Sequence, residues 1–387
     1  MLVVTGGAGF IGANFVLDWV KQSDEQVMVV DCLSYAGNLD NLASVSNGGR
    51  FDGQVLFSLT DLRDKVAIRD LVARHRPRAI VHFAAESHVD RSIDGPEAFI
   101  QTNVLGTYHL LEAATVLSAD PSFRLVHVST DEVYGSLGPH EPAFTEQHPY
   151  APNSPYAASK AASDHLVRAW HHSYRLPAIT TNCSNNYGPY QYPEKLIPLM
   201  ISHALHGKPL PVYGDGGNVR DWLYVADHCA AIRAVLARGC VGEVYNIGGN
   251  AEMSNLALVR TLCALLDTMQ PRSDGHSYAT QISFVTDRPG HDRRYAINAA
   301  KLRAALGWQP AESFDSGIRK TIAWYLAHQD WVGRLEERRG LGDSRGAGVA
   351  RVAEGAKVAD GAKGAGEAGG ADEASWPSAS QSAAPAQ

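Results

Sequence analysis

Short apolar runs alternate with helical stretches along the first half of the chain. The runs are almost unbroken in Val, Ile, Leu and Phe, which is typical of strands buried on both faces of a sheet. This alternation of strand and helix predicts an α/β fold with a doubly wound parallel sheet. The predicted strands lie at residues 2–5, 27–31, 55–58, 79–83, 125–129 and 179–182.

The pattern changes after residue 182, where Pro, Gly and Tyr become more frequent and the candidate strands shorten. We therefore predict a sheet domain at 1–182 and a smaller, mixed α/β domain at 183–335. Residues 336–387 are rich in Gly and Ala and lack apolar periodicity, so burial cannot offset the entropy of ordering, and a disordered tail is predicted. The elements predicted in the second domain are strands at 210–213 and 244–247 and helices near 255–269 and 316–327.

Composition and charge exclude several kinds of partner. The 387 residues are 45% hydrophobic, and the net charge of −7 leaves no excess of Lys and Arg for a phosphate backbone or an anionic lipid. Neither nucleic acid nor a membrane is therefore predicted as a partner. The chain starts with a strand pattern, and its five cysteines are scattered without C-x-x-C spacing, which predicts a cytoplasmic protein with reduced thiols. The sixteen histidines show no spacing typical of ligands, so no metal site is predicted.

A glycine-rich segment, GGAGFIG at residues 6–12, follows the first predicted strand and opens a helix. The missing side chains let the backbone approach a pyrophosphate at the positive end of that helix. A structural turn is the alternative for the glycines alone. Asp31 ends the second strand, where its carboxylate can accept hydrogen bonds from a ribose 2′-hydroxyl and would repel a 2′-phosphate. Together these features predict a Rossmann-type site for NAD in preference to NADP.

Two pairs of polar residues form a candidate catalytic group. Tyr156 and Lys160 lie four apart on a predicted helix, so their side chains share one face, and an ammonium near the phenol favours the phenolate. Asp131 and Glu132 follow the fifth strand, at the edge where open sheets bind ligands. Two carboxyl groups in one cleft push one pKa upward, which provides the acid and the base that an elimination requires. The alternatives are a surface Tyr–Lys pair and helix capping by the two acids.

These motifs closely resemble those of the dTDP-glucose 4,6-dehydratase family of extended short-chain dehydrogenases, over about residues 1–325. Besides Tyr156 and Lys160, the resemblance is carried by the glycine segment, FAAESHVDRS at 83–92, TDE at 130–132, NCSNNYGP at 182–189, RDW at 220–222 and DRPGHD at 287–292. The resemblance implies an NAD-dependent hydro-lyase that converts dTDP-glucose to dTDP-4-keto-6-deoxyglucose and water.

The resemblance also implies three chemical stages. Tyr156 removes the proton of the sugar 4-hydroxyl while a hydride passes from C4 to NAD, and Thr130 steadies the 4-oxygen. Glu132 then removes the C5 proton as Asp131 protonates the departing C6 hydroxyl, and NADH returns the hydride to C6. Adjacent residues on an ideal strand point to opposite faces, so Asp131 and Glu132 can serve one ring only if the strand has already turned.

The same resemblance implies the residues that contact each ligand. Lys195, Arg220 and Arg288 suit the diphosphate of a nucleotide sugar, because cations and guanidinium groups bind its oxygens. For Asp61, helix capping is the alternative. The implied NAD contacts are Gly6, Gly9, Phe10, Ile11, Gly12, Asp31, Cys32, Leu33, Ser34, Asp61, Leu62, Phe83, Ala84, Ala85, Thr102, Tyr156, Lys160 and Asn186. The implied substrate contacts are Ser87, Thr130, Asn185, Lys195, Leu196, Pro211, Val212, Tyr213, Arg220, Asn255, Asp287, Arg288, Pro289, Gly290 and His291.

Other functions stay open at the level of sequence. A nucleotide-sugar 4-epimerase or a UDP-glucuronate decarboxylase shares the glycine loop and the Tyr–Lys pair, but neither reaction needs the two adjacent carboxylates. GDP-mannose dehydratases usually have Ser in place of Asp131. A non-catalytic NAD-binding regulator on the same fold is an alternative of another class. Helices near 98–118 and 155–171 carry surplus apolar residues, and since such helices pair across a two-fold axis in this family, a homodimer is predicted.

Overall fold

Seven parallel strands form the main sheet of this computed structural model, which describes residues 1–46, 53–287 and 290–338. In chain order they are β1 (Leu2–Thr5), β2 (Val27–Asp31), β3 (Val55–Leu59), β4 (Ala79–His82), β5 (Arg124–Thr130), β6 (Ala178–Cys183) and β10 (Val244–Ile247). Across the sheet they run β3-β2-β1-β4-β5-β6-β10, and every neighbouring pair is parallel. The order reverses between β1 and β4, as in doubly wound sheets, which confirms the predicted fold class.

Helices cover both faces of the sheet because successive strand residues point to opposite sides. Leu2 and Val4 of β1 join one buried core with Phe15, whereas Val3 joins the opposite core with Leu71. The helices are α1 (Phe10–Gln22), α2 (Lys65–His75), α3 (Val89–Asp94), α4 (Pro96–Phe99), α5 (Thr107–Ala114), α6 (Pro155–Tyr174), α7 (Leu196–Leu205), α8 (Val225–Arg238), α9 (Asn255–Met269), α10 (Ala300–Leu306) and α11 (Phe314–Ala327). The first core lies under α1 and α8, and the second lies under α2, α5 and α6.

Two small sheets lie in the second half of the chain. They are built from β7 (Asn185–Tyr187), β8 (Leu210–Tyr213), β9 (Val219–Tyr224), β11 (Glu252–Ser254) and β12 (Ile282–Val285). One has the order β11-β9-β7 and the other pairs β12 with β8. Helices α7, α9 and α11 pack with these strands around a separate buried cluster that includes Leu262, Ile322 and Trp331. The strand predicted at 210–213 and the helix predicted at 255–269 are confirmed, and the helix predicted from 316 begins two residues earlier.

Strand β10 does not lie where the sequence pattern placed it. Although predicted as part of the second domain, it pairs with β6 at the edge of the main sheet, with Tyr245 beside Thr181. Its residues are buried on that sheet, so a strand contributed late in the chain completes the first core. Residues 1–335 form one compact unit. The division at residue 182 remains a prediction from sequence.

Further expectations concern single segments. The helix predicted near 98–118 is interrupted, because Ile100–Gly106 adopts a π-helix between α4 and α5, a geometry that often occurs at functional sites. The predicted tail lies outside the described residues from 339 onward, as do the predicted substrate residues Arg288 and Pro289. No helix among the residues that the structure describes is long and apolar enough to cross a membrane.

Candidate active site

A cleft follows the carboxyl ends of β1, β2, β4, β5 and β6. Parallel strands bring the residues that succeed them to one edge of the sheet, so segments far apart in sequence meet there. The glycine loop after β1, Asp31 at the end of β2, and Tyr156 and Lys160 of α6 all line this cleft. The candidate dinucleotide site and the candidate catalytic group therefore share one space.

The glycine loop leaves no room for side chains at two positions. Gly6 has a φ of +69°, and a Cβ there would stand 2.6 Å from the backbone nitrogen of Ala84. A Cβ on Gly12 would stand 2.2 Å from the carbonyl oxygen of Gly6. Helix α1 begins after Gly9, and no side chain from the described residues caps its first turn. The exposed N–H groups and the close backbone approach fit the pyrophosphate of a dinucleotide.

Asp31 connects the two loops that border this end of the cleft. Its Oδ2 accepts a hydrogen bond from the backbone N–H of Ala8 at 3.0 Å, and its Oδ1 accepts one from Leu33 at 2.8 Å. Burial raises the pKa of Asp31, and the two backbone hydrogen bonds oppose that rise. Each carboxylate oxygen keeps a second lone pair, so both can also accept a ribose hydroxyl.

Asp131 and Glu132 lie on a turn and not on a strand. Strand β5 ends at Thr130, and Asp131–Tyr134 form a 3-10 turn in which the Thr130 hydroxyl accepts a hydrogen bond from the backbone N–H of Glu132 at 3.3 Å. This is the change of direction that the two carboxylates require if both are to face one ligand. Both line the cleft, together with Thr130.

The two carboxyl groups have different surroundings. Asp131 is 1% exposed, whereas Glu132 is only partly buried. Burial, followed by the negative charges of Glu132 and Asp221, raises the pKa of Asp131 well above its ordinary value. Its Oδ1 accepts a hydrogen bond from the Thr130 hydroxyl at 3.4 Å, and its Oδ2 has no partner among the described residues. Asp131 is therefore suited to carry a proton.

Helix α6 presents Tyr156 and Lys160 from one face. The Ser154 hydroxyl caps the helix by accepting from the N–H of Ala157 at 3.0 Å, and Pro155 occupies its first turn. Burial, then the negative charge of Glu132, raises the pKa of Tyr156 well above its ordinary value. The phenolate that the Tyr–Lys spacing was expected to favour is thus opposed by burial and by the carboxylates.

The structure brings together most of the predicted ligand contacts. All predicted NAD contacts line the cleft except Leu33, which has a positive φ of 52° and holds Asp31 through its backbone. Four predicted substrate contacts line the same cleft, namely Ser87, Thr130, Asn185 and Lys195. The remaining described ones lie outside that lining, namely Leu196, Pro211, Val212, Tyr213, Arg220, Asn255, Asp287, Gly290 and His291.

Some of these outlying residues still border the catalytic group. The guanidinium of Arg220 lies 4.3 Å from the ring centroid of Tyr295, and its positive charge acts to lower the pKa of Asp131, against the larger effect of burial. His291 Nδ1 lies 2.6 Å from an oxygen of Asp287, and the His291 ring meets Tyr213 edge-on at 6.2 Å. The charge of Arg220 therefore acts on the catalytic carboxyl group Asp131, whereas the other three residues form a separate cluster.

Sequence reasoning missed several residues of the lining. Glu86, Cys183 and Gln191 lie within or beside the segments that carried the family resemblance, yet only their neighbours were singled out. Gln191 Oε1, like Ser129 Oγ and Asn186 Oδ1, lacks a hydrogen-bond partner among the described residues although it is buried. Buried polar atoms usually have partners, so these acceptors fit a polar ligand in the cleft.

Comparisons with known proteins show the family of the chain. The family model described as GDP-mannose 4,6 dehydratase matches residues 3–321. A dTDP-glucose 4,6-dehydratase of Xanthomonas campestris is 59% identical over 336 residues, which is 85% of this chain and 94% of the relative. One of Shigella flexneri is 55% identical and covers 87% of this chain and 95% of its own length.

Solved structures that are similar to this chain include members of the same family. The dTDP-glucose 4,6-dehydratase of Bacillus anthracis, crystallised in complex with NAD, is 46% identical, covers 86% of this chain and 99% of its own, and superposes with a TM-score of 0.76. The chain described here belongs to the dTDP-glucose 4,6-dehydratase family of extended short-chain dehydrogenases.

Proposed function

We propose that this chain is an NAD-dependent dTDP-glucose 4,6-dehydratase, which converts dTDP-glucose to dTDP-4-keto-6-deoxyglucose and water. The observation that carries the proposal is the turn after β5, which holds Asp131 and Glu132 in the same cleft as Tyr156. Epimerisation and decarboxylation need no such pair of carboxyl groups. The names of relatives at 59% and 55% identity support the same reaction.

The residues of the cleft fit NAD as the cofactor. Gly6 and Gly12 let the loop pack tightly against backbone, which suits a pyrophosphate at the start of α1. Asp31 suits an unphosphorylated ribose, and Lys160, which lines the same cleft, suits the nicotinamide ribose. When bound, the nicotinamide accepts a hydride from C4 of the sugar and later returns it at C6. The Bacillus anthracis relative contains NAD, which supports the assignment.

In the oxidation step, Tyr156 removes the proton of the sugar 4-hydroxyl and Thr130 hydrogen bonds to the 4-oxygen. Lys160 carries the positive charge that the phenolate needs nearby. Burial, then the charge of Glu132, raises the pKa of Tyr156 and opposes the phenolate, so the ammonium of Lys160 is needed to keep Tyr156 able to accept the 4-hydroxyl proton.

In the elimination step, the two carboxyl groups act in opposite senses. The 4-ketone acidifies C5, and Glu132 removes the proton there. Asp131, whose pKa is raised, donates its proton to the departing 6-hydroxyl, which leaves as water. The difference in burial between the neighbours decides which one is the acid and which one is the base.

We also propose a cytoplasmic homodimer. On the helical segments that precede α5, the side chains of Ile93, Ile100 and Leu105 are 41%, 46% and 38% exposed. Exposed apolar side chains of this kind are typical of a surface that a partner covers. All five cysteines are free, as expected in a reducing compartment. Sedimentation should give twice the mass of one chain, and a monomer would contradict the assembly without affecting the reaction.

The direct test incubates the purified chain with dTDP-glucose and without added NAD. We expect the alkali-induced absorbance of a 4-keto-6-deoxy sugar, with UDP-glucose turned over more slowly. Proton NMR of the product should show a new C6 methyl group. Formation of a C4 epimer with the C6 hydroxyl retained, or no product even with NAD added, would refute the proposed function.

A further inference from the structure

We propose that Asp164 is a positioning residue for this reaction, and that its buried carboxylate is the counter-charge that keeps Lys160 cationic beside Tyr156. The inference deepens the proposed function and rests on it. Asp164 lies outside the lining of the cleft and one helical turn after Lys160 on α6. Its position follows from the four-residue spacing that puts both side chains on one helix face.

The Asp164 carboxylate is held by donors from three directions. It is 4% exposed, and its Oδ1 lies 3.1 Å from His127 Nε2 on β5. Its Oδ2 accepts hydrogen bonds from the Tyr150 hydroxyl at 2.9 Å and from Asn182 Nδ2 on β6 at 3.1 Å. Three donors on one buried carboxyl group stabilise its negative charge, since an ionised carboxylate accepts and does not donate.

The His127 ring is the donor in its contact with Asp164. Burial, followed by the positive charge of Lys160, lowers the pKa of His127, so the ring is neutral. Its Nδ1 has no hydrogen-bond partner among the described residues. A proton on Nε2 therefore gives Asp164 a donor, whereas a proton on Nδ1 would leave a buried N–H unpaired.

Lys160 needs a counter-charge because it is 4% exposed and its Nζ donates to a neutral group, the carbonyl oxygen of Val128 at 2.8 Å. Burial lowers the pKa of Lys160, and the charge of Asp164 is the largest effect in the opposite direction. A buried ammonium without a paired anion tends to lose its proton. Asp164 opposes that loss.

The other titratable groups around Lys160 do not supply this charge. His82 on β4 is fully buried, and burial followed by the charge of His127 lowers its pKa well below the ordinary value. His127 on β5 is likewise neutral. Burial raises the pKa of the Cys183 thiol on β6 to about 12, so it stays protonated. Burial also raises the pKa of Tyr156 on the same helix, and its phenolate is the group that the charge of Lys160 serves, so it is not the standing counter-charge.

Asp164 also reaches the opposite side of the catalytic group. Asn182 Nδ2, which donates to the Asp164 carboxylate, lies 3.2 Å from the carbonyl oxygen of Thr130. The Asp164 carboxylate therefore connects helix α6, which bears Lys160, with the end of β5, which leads into Asp131. Asp164 thus both opposes the loss of the Lys160 proton and holds Asn182. These two roles explain why a charged residue lies at this interior position.

The test follows the pH dependence of the first half-reaction in Asp164→Asn. Bound NADH formed on mixing with dTDP-glucose is measured by absorbance. Loss of the anion should lower the pKa of Lys160, so the alkaline limb should move to lower pH by about one unit, with oxidation about tenfold slower near pH 9 and within about threefold near pH 6. An alkaline limb that stays in place would overturn the proposal.

Two variants separate charge from structure. Tyr150→Phe removes one donor to Asp164 but keeps the carboxylate, so its alkaline limb should stay within about 0.3 units of the wild type. Asp164→Glu keeps the charge and should restore most of the alkaline activity. Equal losses in Asp164→Asn and Tyr150→Phe at every pH would show that Asp164 is only structural.

A measurement that needs no turnover distinguishes failure of this proposal from failure of the proposed function. Carbon-13 NMR of lysine-labelled holoenzyme, with the Lys160 signal assigned through Lys160→Arg, reports the titration of the ammonium directly. A downward shift in Asp164→Asn supports the proposal even if dTDP-glucose is not the substrate. If Asp164→Asn does not fold, Asp164→Ser removes the same negative charge, and a Lys160 titration identical to wild type in that variant would contradict the proposal.

Discussion

Asp131 and Glu132 are neighbours in sequence, but their surroundings give the two carboxyl groups different chemical properties. Burial, followed by the negative charges of Glu132 and Asp221, raises the pKa of Asp131, while Glu132 is only partly buried and lines the cleft. The sequence predicted the pair and its location from the strand that precedes it. It did not predict the turn, because whether a strand ends at Thr130 depends on a hydroxyl hydrogen bond to the backbone.

Glu132→Gln should stop the reaction after oxidation. The amide cannot remove the C5 proton, so bound NADH should accumulate and product formation should fall at least about a hundredfold. Absorbance of the nicotinamide during a single turnover measures both. Glu146→Gln is the matched control, because this carboxylate accepts from the N–H of Asn246 at 2.9 Å away from the cleft, and it should leave turnover within about threefold. Equal NADH accumulation in both variants would contradict the role of Glu132.

Elimination should weaken as the pH rises. Asp131 must be protonated to donate to the leaving hydroxyl, and its raised pKa keeps the proton to a higher pH than an ordinary aspartate would. Above that pKa the acid is lost, so the fraction of enzyme trapped as bound NADH should increase with pH. Rapid-quench analysis of sugar intermediates across pH measures this fraction. A constant fraction would show that another group supplies the proton.

At the scale of elements, the glycine loop is supported from the far end of the described chain. Trp331 Nε1 donates to Asn41 Oδ1 at 3.0 Å, and Asn41 Nδ2 donates to the carbonyl oxygen of Ala8 at 2.9 Å. Both Trp331 and Asn41 are buried. The sequence revealed the loop and the helix after it, but a support contributed from more than three hundred residues away has no local signal.

Trp331→Phe should weaken cofactor retention. The phenyl ring keeps part of the apolar packing, but Asn41 Oδ1 loses its donor, and a lost buried hydrogen bond costs about 1 kcal/mol, so NAD should dissociate about fivefold faster. Release of NAD from the purified enzyme is followed by filtration and absorbance. Trp19→Phe is the control, since Trp19 Nε1 has no hydrogen-bond partner in the described part of the chain. The same release rate in both variants would argue against the support.

For the molecule as a whole, strand β10 brings a segment from the second half of the chain into the main sheet. Its pairing with β6, and its buried residues Tyr245 and Ile247, mean that residues 1–182 alone lack part of the first core. Sequence patterns identified β10 as a strand, yet could not assign its sheet, because a short apolar run fits either one equally well. The boundary at residue 182 stays a prediction from sequence.

Residues 1–335 should therefore unfold in one transition. Calorimetry should show a single peak whose midpoint rises with added NAD, since a ligand that binds only the folded state stabilises all of it. A fragment of residues 1–182 should aggregate, because β6 becomes an exposed edge. Two separate transitions, of which only one responds to NAD, would contradict this coupling.

Because β10 comes late in the chain, the main sheet can be completed only late during translation. The partner of β6 is translated only when residue 247 is reached, which at about 5–20 residues per second is several seconds after β6 itself leaves the ribosome. During that interval the nascent chain carries a strand with open hydrogen-bonding groups on one side. Protection by chaperones, and sensitivity to the pace of translation, should therefore concentrate between residues 183 and 247.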